Sequence, residues 1–308
     1  MRYILLNLFA FLVLFQAYSQ TDPLYAQYLN NPLTINPAYS GLNDNFNASI
    51  GYRRQWAGFE GSPTTINFSA HSSLSDNKMG LGLLVVQDNI GNNQNTEANV
   101  TYAYRLNLKK ATLSFGLQAG ILNYRSDNSE LNPYDPSDLL FASNQNIIAP
   151  NLGAGIILKS ESFFFGVSMP RMLNTTASYV TMDNPNEEIK GDLYSQHLYA
   201  TAAYVFFFSE RIRFKPSMLM KGVKGAPLSL DLNATFNLDE KYSAGIFTRN
   251  LNTVGLLTQI KFNESYRLGY IFEVPLDNSV GTQFTSHEIS FGLNMAVFSS
   301  HKTSITNF

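Results

Sequence analysis

The sequence predicts an all-β protein: a transmembrane, antiparallel, up-and-down β-barrel of roughly fourteen strands, preceded by a short extended segment. Three observations carry the prediction. Stretches of period-two apolar residues recur from Phe46 to Phe298. Short charged turns alternate with longer polar loops. The chain opens on an export signal and carries few charges for its size.

Met1 and Arg2 are followed by an apolar run from Tyr3 to Phe15 and by Ala17-Tyr18-Ser19. A positive start, an apolar centre and a small-x-small site make residues 1–19 a signal peptide cut after Ser19. As an uncleaved anchor the run falls short of the ~20 residues needed to span a bilayer. With no cysteine in the chain, neither a lipidated N-terminus nor a disulfide framework is available.

Residues 20–43 carry Pro23, Pro32 and Pro37 among Asn and Tyr. The segment is therefore read as extended, without strand alternation and unable to form a regular helix. Outside the barrel wall, it either folds into the lumen as a plug or binds a periplasmic partner. Its tyrosines, Tyr25, Tyr28 and Tyr39, suit packing better than a disordered leader does.

The barrel is assigned to residues 44–298, with a tail at 299–308. About 265 residues follow Asn43, enough for roughly fourteen strands of ~9 to 11 residues with their turns. The candidates are 46–56, 63–73, 79–87, 96–106, 111–125, 149–158, 162–169, 193–208, 211–221, 227–237, 242–248, 253–262, 266–274 and 287–298. Leu228, Leu230, Leu232, Ala234 and Phe236 alternate with Ser229, Asp231, Asn233, Thr235 and Asn237. Ile289, Phe291, Leu293, Met295 and Val297 alternate with Glu288, Ser290, Gly292, Asn294 and Ala296 in the same way. Strand geometry puts the two sets on opposite faces. A soluble sandwich would alternate as well, so the connections decide. Those near residues 75–78, 107–110, 159–161, 209–211, 239–241 and 263–264 are short. Most of those between them, including 87–95, 126–148, 171–192 and 275–286, are long, as in barrels with tight periplasmic turns and long outer loops. Pro216 interrupts one candidate strand, and a bulge is expected there.

Composition agrees. Charged residues make up 14% of the chain and hydrophobic residues 44%, against about 25% charged in an ordinary soluble domain. The 17 Tyr and 23 Phe suit girdles at the two membrane interfaces. A net charge of −2 leaves no basic patch for nucleic acid. The strand registers place Arg53, Arg105, Arg213, Lys215, Asp231, Arg267, Glu273 and Glu288 in the lumen, to pair with one another, line a water channel or hold a plug.

The segment Asp22-Pro23-Leu24-Tyr25-Ala26-Gln27-Tyr28 is followed by Asn31-Pro32 and by Asn36-Pro37-Ala38-Tyr39-Ser40-Gly41. With Tyr52-Arg53-Arg54-Gln55-Trp56-Ala57-Gly58-Phe59 and Gly61-Ser62-Pro63-Thr64-Thr65, it resembles the PorP/SprF family of the type IX secretion system. Leu81-Gly82, Asp88-Asn89-Ile90-Gly91 and Ser286-His287-Glu288-Ile289-Ser290 are also similar to that family. The tail from Ser299 departs from it. The resemblance implies the outer membrane of a Bacteroidetes-type bacterium and a role in surface-protein export or gliding motility. The implied partners are outer-membrane lipid and either secretion components or a secreted adhesin with a C-terminal signal domain.

No catalytic residue, cofactor site or metal site is expected. His71, His197, His287 and His301 are far apart, and His287-Glu288 lacks the second histidine of a zinc helix. There is no Gly-x-Ser-x-Gly elbow. Gly80-Leu81-Gly82 and Gly153-Ala154-Gly155 lack the third glycine of a dinucleotide site and are assigned to barrel curvature. The acidic residues near 127–138 and 183–192 lack the order of a calcium loop. A partner-binding surface is expected at Tyr25, Tyr28 and Tyr39 and at Arg54, Gln55, Trp56 and Phe59, where Gly58, Gly61 and Pro63 make a tight corner. Trp56 as a plain interfacial anchor is the competing reading. The rival functions are a porin or hydrophobic-solute channel and a barrel enzyme.

Overall fold

The computed structural model describes residues 26–74, 77–128, 144–180, 188–224, 226–276 and 281–297. Fourteen antiparallel strands close on themselves. They are β1 (Phe46–Arg54), β2 (Thr64–Ser73), β3 (Met79–Ile90), β4 (Asn93–Asn107), β5 (Thr112–Ser126), β6 (Gln145–Lys159) and β7 (Phe163–Arg171), then β8 (His197–Tyr204, resumed at Phe206–Phe207), β9 (Ile212–Val223), β10 (Ser229–Leu238), β11 (Tyr242–Arg249), β12 (Thr253–Lys261), β13 (Tyr266–Pro275) and β14 (Ser286–Met295). Sequential strands pair, and β1 pairs β14 from Phe46↔Met295 to Arg54↔His287. Closure removes the sheet edges that a bilayer cannot solvate. With an even number of strands, the start of β1 and the end of β14 share one end, with the short turns. That end is the periplasmic, inner one.

Alternation decides which side chains meet lipid. On β10, Leu230, Leu232 and Phe236 face out while Ser229, Asp231, Asn233 and Thr235 are buried; on β14, Ile289, Phe291 and Met295 face out and Glu288 is buried. All eight charges expected in the lumen lie on the inward register. Aromatic rings gather at the inner rim, with Tyr204 against Phe206 and Phe214 against Phe236, both at 4.7 Å. A girdle at the interface requires this arrangement.

The loops depart from expectation on the outer side. Residues 87–95, expected as a loop, belong mostly to β3 and β4, which meet at a turn through Gly91 with φ +54°. β5 likewise runs to Ser126 and β6 starts at Gln145. Strands of 15 residues exceed the ~9 to 11 that a bilayer needs. Their outer ends stand in water, where neither face must be apolar, so the ladder continues after the alternation has faded. The connection after β7 contains a hairpin, Thr175–Val180 with Glu188–Tyr194.

Pro216 makes no bulge. It faces Ala234 in an unbroken register, and Ala203↔Ser217 and Phe206↔Phe214 keep the same register on its other side. The missing donor is absorbed by a local gap in β8 at Val205, whose N–H donates to the Ser162 carbonyl at 2.7 Å.

Depth along the strand sets the cost of a charge on the lipid face. Leu230 sits at the outer rim, its N–H donating to Asn250 Oδ1 at 2.7 Å. Leu256 lies midway along β12, 47% exposed, beside Leu257 at 3%. Leu256→Arg is therefore expected to cost ~2–4 kcal/mol and Leu230→Arg ~0–1 kcal/mol in denaturant unfolding of the reconstituted barrel. Equal costs would contradict the depth assignment.

Candidate functional site

The barrel interior is occupied by the chain's own N-terminal segment. Proline at helix starts and short runs of polar residues favour tight turns over long helices. Residues expected to be extended form three 3-10 turns, Ala26–Leu29, Pro32–Thr34 and Pro37–Tyr39. The Asn36 side chain accepts from the Ala38 N–H at 3.0 Å and caps the third turn; its amide donates to the Ile156 and Val167 carbonyls at 3.3 and 3.4 Å. Gly41, at φ +66°, lies where a Cβ would come within 2.7 Å of the Ser72 carbonyl oxygen. Only glycine suits both demands.

Contacts with the wall run around the lumen. Asn31 donates to Ser69 at 2.8 Å, Gly41 N–H to His71 Nδ1 at 3.0 Å, Ser114 to the Ala38 carbonyl at 2.7 Å and Ser168 to the Ile35 carbonyl at 2.6 Å. Ser40 and Thr101 share a hydrogen bond of 2.6 Å, and Lys159 donates to Asn43 at 2.9 Å. Leu33, Ala38, Tyr39 and Leu42 bury against Ile157 and Phe164. The segment begins at the inner rim, where Asp44 lies 3.9 Å from Arg105. It climbs to Ala26, which packs on Phe247, Leu257 and Ile271.

The lumen glycines follow from this packing. A Cβ on Gly116 would lie 2.0 Å from the Ala38 nitrogen, and one on Gly80 would lie 2.0 Å from the Ser40 carbonyl oxygen. Gly80 and Gly155, read from sequence as curvature residues, instead let the segment's atoms reach the wall.

Toward the outer rim a charge network crosses the lumen. Arg53 grips Glu273 with two bonds of 2.9 and 2.7 Å and reaches its cross-strand neighbour Glu288 at 3.4 Å. Arg249 holds Asp231 at 3.0 Å and lies 3.9 Å from Glu273. Tyr28 touches this network through Asp231 at 3.4 Å. Burial, with the Asp231 charge beside it, pushes the Tyr28 phenol well above its ordinary pKa, so it remains a donor. Sequence reading missed Arg249 by ending its strand one residue early, although the residue falls on the inward register of Gly245 and Phe247. Above the network, Leu193 and Tyr194 of the outer hairpin pack on Leu122 and Ala149, and Tyr194 donates to Asn95 at 3.0 Å.

Of the expected partner-binding residues, Tyr25 lies outside the described residues. Tyr28 and Tyr39 are buried in the lumen, Tyr39 edge-on to His71 and Phe164. Arg54, Gln55, Trp56 and Phe59 sit apart from them at the outer end of β1. Arg53 turns inward and Arg54 outward, as alternation requires. The corner is tied down: Gln55 N–H donates to the Pro63 carbonyl, Ala57 N–H to Thr285, Phe59 N–H to Trp56 and Gly91 N–H to Gly61, at 2.7–3.1 Å. Phe59 packs edge-on to Phe284 at 5.4 Å. Among the described residues no group of three or more His, Asp or Glu is placed to hold a metal.

These features define an outer-membrane barrel whose lumen holds its own N-terminal segment. The family model for the type IX secretion system membrane protein PorP/SprF matches residues 17–293. The chain belongs to that family, an outer-membrane protein of the type IX secretion system. Among solved structures it is similar in fold to the CymD monoaromatic hydrocarbon channel (11% identity, TM-score 0.50, covering 92% of this chain and 96% of that one). The outer membrane protein Omp33 of Acinetobacter baumannii is also similar (9% identity, TM-score 0.48, covering 83% of this chain and all of the other). No curated protein sequence matches the chain.

Proposed function

We propose that this protein works in type IX secretion without catalysis, through protein contacts, in the export or anchoring of surface proteins that include those used in gliding. The observation that supports this is the occupied lumen. A porin or hydrophobic-solute channel needs a continuous path. Here residues 26–45 bond to β2, β4, β5, β6 and β7, and Tyr194 packs above. A partner then meets the barrel at its outer rim or at its periplasmic turns.

The outer corner is the proposed docking surface. Trp56 adopts φ +52°, a left-handed conformation that is uncommon for a bulky residue and costs of order 1–3 kcal/mol. A strained aromatic beside exposed Arg54 and Phe59, on a loop held at four backbone points, presents a rigid patch of the residue types that dominate binding hot spots. The partner is a secreted adhesin with a C-terminal signal domain or a secretion component. Trp56→Ala should assemble normally, lose the partner in a pull-down and reduce surface display of the cargo. Normal display from an assembled variant would leave Trp56 as a membrane-interface anchor. Export itself is tested at the N-terminus: the mature chain should begin at Gln20.

A further inference from the structure

A groove of about 550 Å3 lies on the lipid face of β10–β13, between two register rows of outward side chains. Leu232, Ile246 and Leu256 along it are exposed to the bilayer. One of the rows runs through Ala234, Ile246, Leu256 and Phe272 and continues, strand by strand, to His287 on β14 and Arg54 on β1. Because barrel strands tilt, this row climbs. Leu256 lies midway along β12, whereas Arg54 is the last residue of β1, at the outer rim. Its side chains change with depth, from aliphatic through aromatic to cationic.

The upper end of the row is rich in donors. Arg54 is exposed and, unlike Arg53, is bonded to no carboxylate among the described residues, Glu60 of the corner loop included. No acidic residue occupies a lipid-facing position on β13, β14, β1 or β2. His287 stands directly opposite Arg54, and side chains so placed are about 5 Å apart at Cβ, so one phosphate group can reach both. The His287 ring is held at both nitrogens, by the Tyr270 hydroxyl at 2.7 Å and the Thr285 hydroxyl at 3.1 Å, and lies 5.3 Å from the Phe272 ring. A neutral imidazole donates at one nitrogen and accepts at the other, and a charged one donates at both. In either state at least one of the two hydroxyls keeps its own proton to offer. We propose that the row binds a phosphate-bearing glycolipid of the outer leaflet, with the phosphate on Arg54 and a hydroxyl beside His287 and one acyl chain in the groove. Arginine suits phosphate by charge and by the geometry of its fork, and a cation on the lipid face is tolerated best at headgroup depth. The side sets the source: the row ends at the outer rim, so the leaflet it meets is the outer one, where outer membranes carry phosphorylated glycolipid.

The test uses the full-length protein in detergent and native mass spectrometry with three added lipids: lipid A, the same lipid A stripped of its phosphates, and phosphatidylglycerol. Lipid A should give a discrete, saturable adduct, and the other two should bind more weakly. Arg54→Gln should weaken lipid A binding by about tenfold, and Ala234→Phe, which narrows the groove with Arg54 intact, should weaken it as well. Equal binding of lipid A with and without phosphate, binding of phosphatidylglycerol as tight as that of lipid A, or an Arg54→Gln variant that binds like wild type would overturn the proposal. If Arg54→Gln does not assemble, the three lipids on the wild-type protein decide alone. Arg54 also borders the proposed docking corner, but lipid retention reads this site and cargo display reads that one, so either can fail without the other.

Discussion

Valine at position 116 is expected to drive the N-terminal segment out of the lumen and turn a closed barrel into an ion-conducting one. The added Cβ would stand 2.0 Å from the Ala38 nitrogen and 2.4 Å from its Cα. Both are backbone atoms in a turn fixed by Asn36 and by the Ser114 bond to the Ala38 carbonyl, so no rotamer change relieves the clash. Overpacking costs about 1–3 kcal/mol even where side chains can shift, and each ~1.4 kcal/mol moves the equilibrium between seated and released segment tenfold. Gly116→Val should raise conductance in planar bilayers and expose residues 26–45 to protease. Ala119→Val, on the lipid face of the same strand, should do neither. A variant as silent and as protected as wild type would show that this contact does not hold the segment.

Removing the charge of Arg53 is expected to destabilise the barrel by about 3–5 kcal/mol, because a broken buried pair leaves its partner charge uncompensated. Here two partners are left, Glu273 and Glu288. The position magnifies the effect: Arg53 and Glu288 face one another across the β1–β14 pairing that closes the cylinder. Arg53→Met should lower the denaturant midpoint strongly, and Arg53→Met with Glu273→Gln should recover part of the loss. By contrast, the Arg211–Asp239 pair, bonded at 2.6 Å but exposed at the inner turns, should barely register when Arg211 becomes alanine. If the two single variants prove equal, the lumen network does not contribute to closure.

Much of this architecture is legible in the chain because a membrane barrel imposes its solvent on every strand. Lipid on one side and polar contacts on the other make Leu232 and Asn233 unlike, residue by residue. The same rule placed Arg53 inward and Arg54 outward, and the charged inner turns mark where the rule stops. It fades where the solvent is the same on both faces, which is why the pattern alone gives loops at the outer ends of β3, β4 and β6. Pro216 misled for a related reason: a missing donor demands an adjustment, but whether that is a bulge or a gap in the neighbouring strand depends on the partner.

The destination of residues 26–45 belongs to the tertiary structure. Their prolines and asparagines exclude a regular helix, yet the bonds that seat them join residues far apart in the chain, such as Tyr28 with Asp231 and Asn36 with Val167. No local pattern encodes such pairs. Gly80, Gly116 and Gly155 read as ordinary strand glycines until the segment's atoms are found against them. Sequence by itself determined a fourteen-stranded barrel, its lipid-facing register and its charged interior. Only the closed structure decided what fills that interior, because filling a lumen requires shape complementarity between surfaces built from residues far apart in the chain.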